Sequence, residues 1–243
     1  MPGTGKQISA RGESVWMVDV NGYIHQWDGT KFVYHSGWGF HATVSKDESV
    51  WALVIEKATD YSIYRKLATT GWARMTLPAG EKFIAISSMQ HDNTIAVSLT
   101  NKVYLYHWYG FNGASWKVLP TPTPALWAAI GDGFLEIDNE ERWLIGTDKK
   151  VYQWMWDWSI SNGSWQMRGS WQQRPGVDAV QIDIHNATRI VMLNSAGEIF
   201  AWKNENWVKL TFNGVALSVA IGASRIYATK NGTFEILRTE FYP

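Results

Sequence analysis

Ser14–Trp27 reads SVWMVDVNGYIHQW, and its layout decides the fold. Two runs rich in β-branched and aromatic residues flank Asn21-Gly22, and such a pair between two runs signals a β-hairpin because glycine adopts positive φ without a steric penalty. The segment returns along the chain as SVWALV…YSIYRK from Ser49, TIAVSLTNKVYLYHW from Thr94, RWLIGTDKKVYQW from Arg142, RIVMLNSAGEIFAW from Arg189 and RIYATKNGTFEIL from Arg225. Anchored on Ile24, Ile63, Val103, Val151, Ile199 and Phe234, the copies lie 39, 40, 48, 48 and 35 residues apart, close to the roughly 40–50 residues of a propeller blade.

Each copy is flanked by further strand signals. Upstream stands an apolar run, QISA, HATV, FIAIS, FLEI, AVQIDI or LSVAIG, which reads as the inner strand of a blade. Downstream stands an aromatic-led run, FVYHS at Phe32, WARM at Trp72, WKVL at Trp116, WQMR at Trp165 and WVKL at Trp207, which reads as the outer strand. Separate four-stranded sheets would leave apolar faces bare, whereas radial stacking buries each face against its neighbours. The expectation is an all-β chain, a single six-bladed β-propeller of four-stranded antiparallel blades over roughly 1–36, 37–77, 78–120, 121–169, 170–211 and 212–243. The sixth copy lacks a Trp-led outer strand, so closure falls to Phe241 and Tyr242, to the first residues of the chain, or to a three-stranded blade.

Composition narrows the function classes. Lys plus Arg balance Asp plus Glu at 22 each, and no stripe of one sign is present to track nucleic acid or an anionic membrane. Cysteine is absent, so the apolar core must hold the fold without disulfides or thiolate zinc sites. The first residues, MPGTGKQISARGE, contain no apolar signal-peptide region, and no segment reaches about 18 uninterrupted apolar residues. A cytoplasmic protein without membrane insertion is expected. The sequons at Asn162, Asn186 and Asn231 read as surface turns.

With the repeat laid out, its pattern, W-x-x-L followed by an Ile/Val-rich strand ending in Gly and then (V/I)-W-x-V-x-x-x-G-x-I-(Y/F)-x-W, resembles the tectonin-type β-propeller lectins, above all those of mushrooms. The clearest instances are Val15-Trp16 through Trp27-Asp28-Gly29, Ala196 through Trp202, and Trp207 through Gly222. The second copy departs from it with Arg65-Lys66 in place of Trp, and the third with Ala96. The resemblance implies a multivalent carbohydrate-binding protein of innate defence. Its glycan partners would be O-methylated surface sugars of bacteria and nematodes, such as methylated mannose or fucose, and a homo-oligomer would be compatible with it. No cofactor or metal is implied.

The tryptophans divide by position. Trp16, Trp51 and Trp143 fall on central strands, Trp27, Trp108, Trp154 and Trp202 on third strands, and Trp72, Trp116, Trp165 and Trp207 on outer strands; these read as core. Trp38, Trp127 and Trp171 fall in linkers between blades. These linkers share a face with the turns that hold Asp19, Asn21, Asn101, Asp148, Asn194 and Asn231. Aromatic rings for the C–H face of a sugar and polar groups for its hydroxyls would meet there, so these nine residues form the candidate carbohydrate site. The plainer reading is that the Trp staple blades and the Asn and Asp build turns. The opposite face offers Tyr109, Trp156, Asp157 and Trp158 beside Asp47, Asp92, Asn139, Arg142 and Arg189.

An enzyme is not expected. HExxH and GxSxG are absent, the six His are scattered, and Gly3-Thr4-Gly5-Lys6 lacks the upstream glycine and following Ser/Thr of a phosphate loop. The adjacent Glu140-Glu141 is not the separated pair that glycosidase chemistry needs. The rival reading is a protein-interaction scaffold of the WD-repeat kind, although Trp27-Asp28 and Trp156-Asp157 are isolated rather than regular.

Overall fold

A computed structural model describes residues 3–57, 60–67, 71–90, 92–108, 114–133, 140–161, 164–176 and 178–241, with the side chains of Trp108 and of 157–168 outside the description. All regular structure among them is strand. The first blade comprises β1 (Gly5–Arg11), β2 (Ser14–Asp19), β3 (Tyr23–Trp27) and β4 (Phe32–Trp38), and the second β5 (His41–Val44), β6 (Val50–Lys57), β7 (Asp60–Lys66) and β8 (Trp72–Arg74). The third holds β9 (Phe83–Gln90), β10 (Asn93–Ser98), β11 (Val103–Trp108) and β12 (Ala114–Leu119), and the fourth β13 (Ala125–Gly131), β14 (Glu141–Gly146), β15 (Val151–Ser161) and β16 (Ser164–Arg174). The fifth holds β17 (Ala179–Asn186), β18 (Arg189–Asn194), β19 (Ile199–Lys203) and β20 (Asn206–Lys209); the sixth has β21 (Ala216–Ile221), β22 (Arg225–Lys230) and β23 (Ile236–Glu240). Every pairing within a blade is antiparallel. The inner strands β1, β5, β9, β13, β17 and β21 adjoin in that order and β21 returns to β1, so the chain closes a six-bladed propeller.

The seams between blades are the core. Trp51 and Trp143, on central strands, are fully buried, and each meets an outer-strand Trp of the next blade edge-on: Trp51 with Trp116 at 6.2 Å and Trp143 with Trp207 at 5.7 Å. Burying one such side chain contributes at most about 4–6 kcal/mol.

The axis is closed by hydrogen bonds rather than by apolar packing. An inner strand has a free edge, and the preceding blade satisfies it with polar side chains. Gln7 brackets Ala42, donating to its carbonyl at 2.9 Å and accepting from its N–H at 3.1 Å, and Gln181 does the same to Val219. Ser9 accepts from Val44, Ser87 from Ile130 and Asp183 from Ile221. The buried Arg11 guanidinium spans the axis, donating to the carbonyls of Ser88, Ile130, Ile184 and His185 on three other blades.

Two expectations need correction in the fourth blade. Its inner strand is Ala125–Gly131 rather than FLEI, which begins at Phe134 outside the described residues. Its outer strand β16 runs on to Arg174, because β15 and β16 form a hairpin of 11 residues a side. That long hairpin accounts for the wide spacing of the fourth copy.

Closure draws on each of the three options, with Tyr242 outside the described residues. Among the described residues the sixth blade has three strands, and its third strand is anchored on Ile236, opposite Thr229, rather than on Phe234. Phe234 sits in the turn at φ +58°. Phe241 packs into the fifth-to-sixth seam with Val191, Leu193 and Ile226. The first residues help as well: Gly5 donates to the Phe234 carbonyl at 2.8 Å, and Thr4 bridges Glu235.

Candidate functional site

In each of the first five blades one outer-strand residue wedges against the preceding blade. Trp72, Trp116, Trp171 and Trp207 each stand opposite the fourth residue of the third-strand repeat, namely Lys66, Tyr106, Trp154 and Trp202, and Phe32 takes this place opposite Trp27. Trp72 donates its indole N–H to the carbonyl of His35 at 3.3 Å, Trp171 to Pro120 at 2.9 Å and Trp207 to Pro175 at 2.7 Å. Three of these rings are therefore pinned at both ends, by packing and by a hydrogen bond.

At the seam of the first two blades the wedge stays partly open. A cleft of about 330 Å³ is lined by Ser36, Gly37 and Trp38 on one wall and by Glu56, Tyr64 and Trp72 on the other, with Ile24, Ala52 and Val54 as its apolar floor. Trp38 lines the cleft and is 49% exposed. Gly37 is required where it is, since a Cβ there would lie 2.8 Å from the Trp72 indole nitrogen. Tyr64 donates its hydroxyl to Glu56 at 2.5 Å, and Arg74, two residues beyond Trp72 on the same side of β8, donates to Ser62 at 2.7 Å and lies 3.8 Å from Glu56. The Tyr64 hydroxyl, with help from Ser62 and Arg74, holds the Glu56 carboxyl below its ordinary range, and the same bond raises Tyr64. A half-exposed residue and an ionised carboxylate thus line one apolar hollow, with the Arg74 guanidinium 3.8 Å from that carboxylate.

Neighbouring seams repeat parts of this arrangement. In the third blade Tyr104 donates to Glu81 at 2.7 Å and Lys102 lies 3.0 Å from the same carboxylate. Burial opposes ionisation of Glu81, yet the bonds from Tyr104 and Lys102 hold it at about 2. In the fourth Tyr152 donates to Asp148 at 2.9 Å, and in the fifth Lys209 binds Glu198 at 2.5 Å while Phe200 takes the tyrosine position. The second-to-third seam has its own cleft of about 370 Å³, but the residues lining it, among them Met75, Leu77, Pro78, Tyr106 and Trp116, include no charged side chain. A third, of about 340 Å³, runs along Thr100–Val103 and Val118–Pro124.

The nine residues expected from the sequence are not brought together. Trp38 ends β4 and lines the cleft. Trp127 is no linker residue: it lies within β13, stacks on His41 across the axis at 5.0 Å and donates to the Ile182 carbonyl at 2.9 Å. Trp171 is likewise no linker residue but the fourth-blade wedge. The turn residues build turns, as short polar side chains do. Asp19 accepts from the N–H groups of Asn21 and Tyr23 and pairs with His25. Asn101, at φ +61°, donates to Ala125; Asp148 accepts from Lys150 and Tyr152; Asn194 accepts from Ala196 and Glu198; and Asn231 donates its own N–H to Val215. On the opposite face Arg142 lies over Trp154 and Trp156 and binds Glu140, which also accepts from Asn93 at 2.6 Å. Tyr109, Asn139 and the side chains of Asp157 and Trp158 lie outside the described residues. Glu56, Tyr64 and Arg74 escaped the sequence reading; the one pointer to them was the recurrent outer-strand Trp, read there as core alone.

No protein-family model matches the chain, and no curated protein matches it in sequence. Its fold is similar to the SapL1 lectin, solved in complex with alpha methyl fucoside, at a TM-score of 0.59 and 12% identity over 98% of this chain and 92% of that one. It is similar to AofleA from Arthrobotrys oligospora, with a TM-score of 0.59 and 12% identity over 98% and 86%. It is also similar to Prp20p from Saccharomyces cerevisiae, described with its binding to Gsp1p and histones, with a TM-score of 0.58 and 10% identity over 92% and 69%. At such identities the likeness is one of fold.

Proposed function

We propose that the protein is a lectin and that the seam between the first two blades is its principal glycan site. The observation that carries this reading is the joint presence there of the half-exposed Trp38 and the ionised Glu56 around an apolar floor, with Arg74 3.8 Å from Glu56. A pyranose needs an aromatic surface for its C–H face and acceptors and donors for its hydroxyls; this cleft supplies the aromatic rings and a charged acceptor, and Arg74 adjoins that acceptor as a donor. The fold neighbour SapL1, solved with alpha methyl fucoside, supports the choice of ligand class. Ile24, Ala52 and Val54 form a niche suited to an O-methyl group, which favours the methylated glycans that the tectonin resemblance implies. Glu56 is held low in pKa, the wrong direction for a general acid, so binding without turnover is the proposed activity.

Titration calorimetry with methyl fucoside, O-methylated mannose and their unmethylated counterparts tests the reading. Binding by the wild type, lost in Trp38→Ala with the fold intact, supports it. Binding that survives Trp38→Ala unchanged moves the site elsewhere.

A further inference from the structure

A second group of exposed aromatic side chains lies beside the cleft on the first blade. Met17, which packs into the sixth-to-first seam, stands opposite His25 on β3, and His25 stands opposite Tyr34 on β4, so all three point to one side of the sheet. Tyr23, two residues before His25, shares that side. The seam covers Met17, Trp27 and Phe32, but Tyr23 and Tyr34 are 48% and 53% exposed, and their rings meet edge-on at 5.6 Å. His25 lies 5.9 Å from the Tyr34 ring and is bonded through Nε2 to Asp19 at 3.2 Å. Asp19 already accepts from the N–H groups of Asn21 and Tyr23, so it accepts from His25 as well, and in the neutral ring Nδ1 is then an acceptor.

The cleft and this platform meet at Trp38. That residue lines the cleft and stands directly opposite Tyr23, where paired Cα atoms lie about 4.5–5.5 Å apart. Four steps along β4, from Tyr34 to Trp38, match two along β3, from His25 to Tyr23, so β4 bulges between them. The bulge holds Ser36 at φ +32°, a strained conformation for a residue with a side chain. Its far end is fixed by the main chain: Gly39 donates to the Gly22 carbonyl at 2.8 Å, and a Cβ on Gly22 would lie 3.1 Å from the Gly39 carbonyl oxygen. Trp38 is thus presented on a backbone ordered before any ligand arrives.

We propose that cleft and platform form one extended site and that its ligand is a neutral oligosaccharide, with the terminal sugar in the cleft and the following sugars across Tyr23 and Tyr34; this rests on the glycan reading of the cleft. The two tyrosine rings offer surface to the C–H faces of the inner sugars, and His25 Nδ1 offers an acceptor to a hydroxyl. Carboxylates stand in both halves, Glu56 in the cleft and Asp19 behind His25, which selects against sugars that carry an acid group. Two contacts joined in one ligand reinforce each other, so affinity rises with chain length.

The test is titration calorimetry of the whole protein with a series of mannose oligomers, from the single sugar upward, each bearing one O-methyl group on its non-reducing end. The expected result is an affinity that rises roughly tenfold or more from the single sugar to the trisaccharide. Tyr34→Ala should reduce that gain to about twofold or less, whereas Tyr34→Phe, which keeps the ring, should retain most of it. A flat series in the wild type, or a gain that survives Tyr34→Ala, overturns the extended site and leaves the cleft reading standing. A series that does not bind at all also overturns it, and the methyl fucoside titration then decides separately whether the cleft reading falls with it.

Discussion

The Tyr64 hydroxyl lies 2.5 Å from the Glu56 carboxylate, and this bond keeps an acceptor ionised on the wall of an apolar cleft. Because Glu56 sits below its ordinary range, its charge is constant across neutral and mildly acidic pH. Glycan affinity is therefore expected to be flat between about pH 5 and 8. Glu56→Gln should weaken binding severalfold, since it replaces a charged acceptor with a neutral one. Calorimetry at both ends of the range checks both statements.

Trp38 and Trp72 flank the same cleft but differ in consequence. Trp38 is half exposed, so Trp38→Ala should abolish binding while leaving the melting temperature within a degree or two. Trp72 is hydrogen-bonded to His35 and packs with the first-to-second seam, so Trp72→Ala should cost about 2–4 kcal/mol as well as binding. Denaturant titration alongside ligand titration separates the two.

Trp127 and Trp171 should behave as structural residues. Trp127→Ala removes a ring stacked on His41 and leaves the Ile182 carbonyl without its donor; Trp171→Ala opens the third-to-fourth seam. Each is expected to destabilise by about 2–4 kcal/mol with glycan affinity unchanged. A variant that folds as the wild type does yet fails to bind would place the site on the axis or on that other seam.

Period and strand chemistry were legible in the sequence because every blade must bury two faces, and that need repeats at each third-strand anchor from Ile24 to Ile199. The fourth blade was misread where a long hairpin broke the period. Two tryptophans then seemed to lie in linkers, although one plugs the axis and the other wedges a seam. Asp19, Asn101 and Asn194 looked like ligands for the reason that makes them good turn residues: short polar side chains that reach backbone N–H and C=O groups. Glu56 and Arg74 were not legible, since neither belongs to the repeat and only packing sets them beside Trp72. The three-stranded end was foreseeable from the missing Trp.

The axis should make stability depend on pH. Burial lowers His41 to about 4, and burial together with the nearby Arg11 lowers His185 to about 4. Both take up protons near pH 6.5 only when the chain unfolds, so their contribution is complete above that pH and is lost as pH falls toward 4. Burial raises Asp183 to about 6 against the attraction of Arg11, so the folded form gains its proton first and this residue acts in the opposite sense over the same window. Two losses outweigh one gain. The urea midpoint should fall between pH 7 and pH 5, less steeply in His41→Gln and more steeply in Asp183→Asn. Arg11→Met, which strips four buried carbonyls of their donor, should cost at least about 3 kcal/mol at either pH.

The central claim is a glycan site between the first two blades, and the most direct measurement is a glycan array of methylated and unmethylated sugars probed in parallel with wild type and Trp38→Ala. The account predicts wild-type signal concentrated on O-methylated glycans and its disappearance in the variant. A wild type blank across the whole array, or a variant with an undiminished pattern, would contradict it.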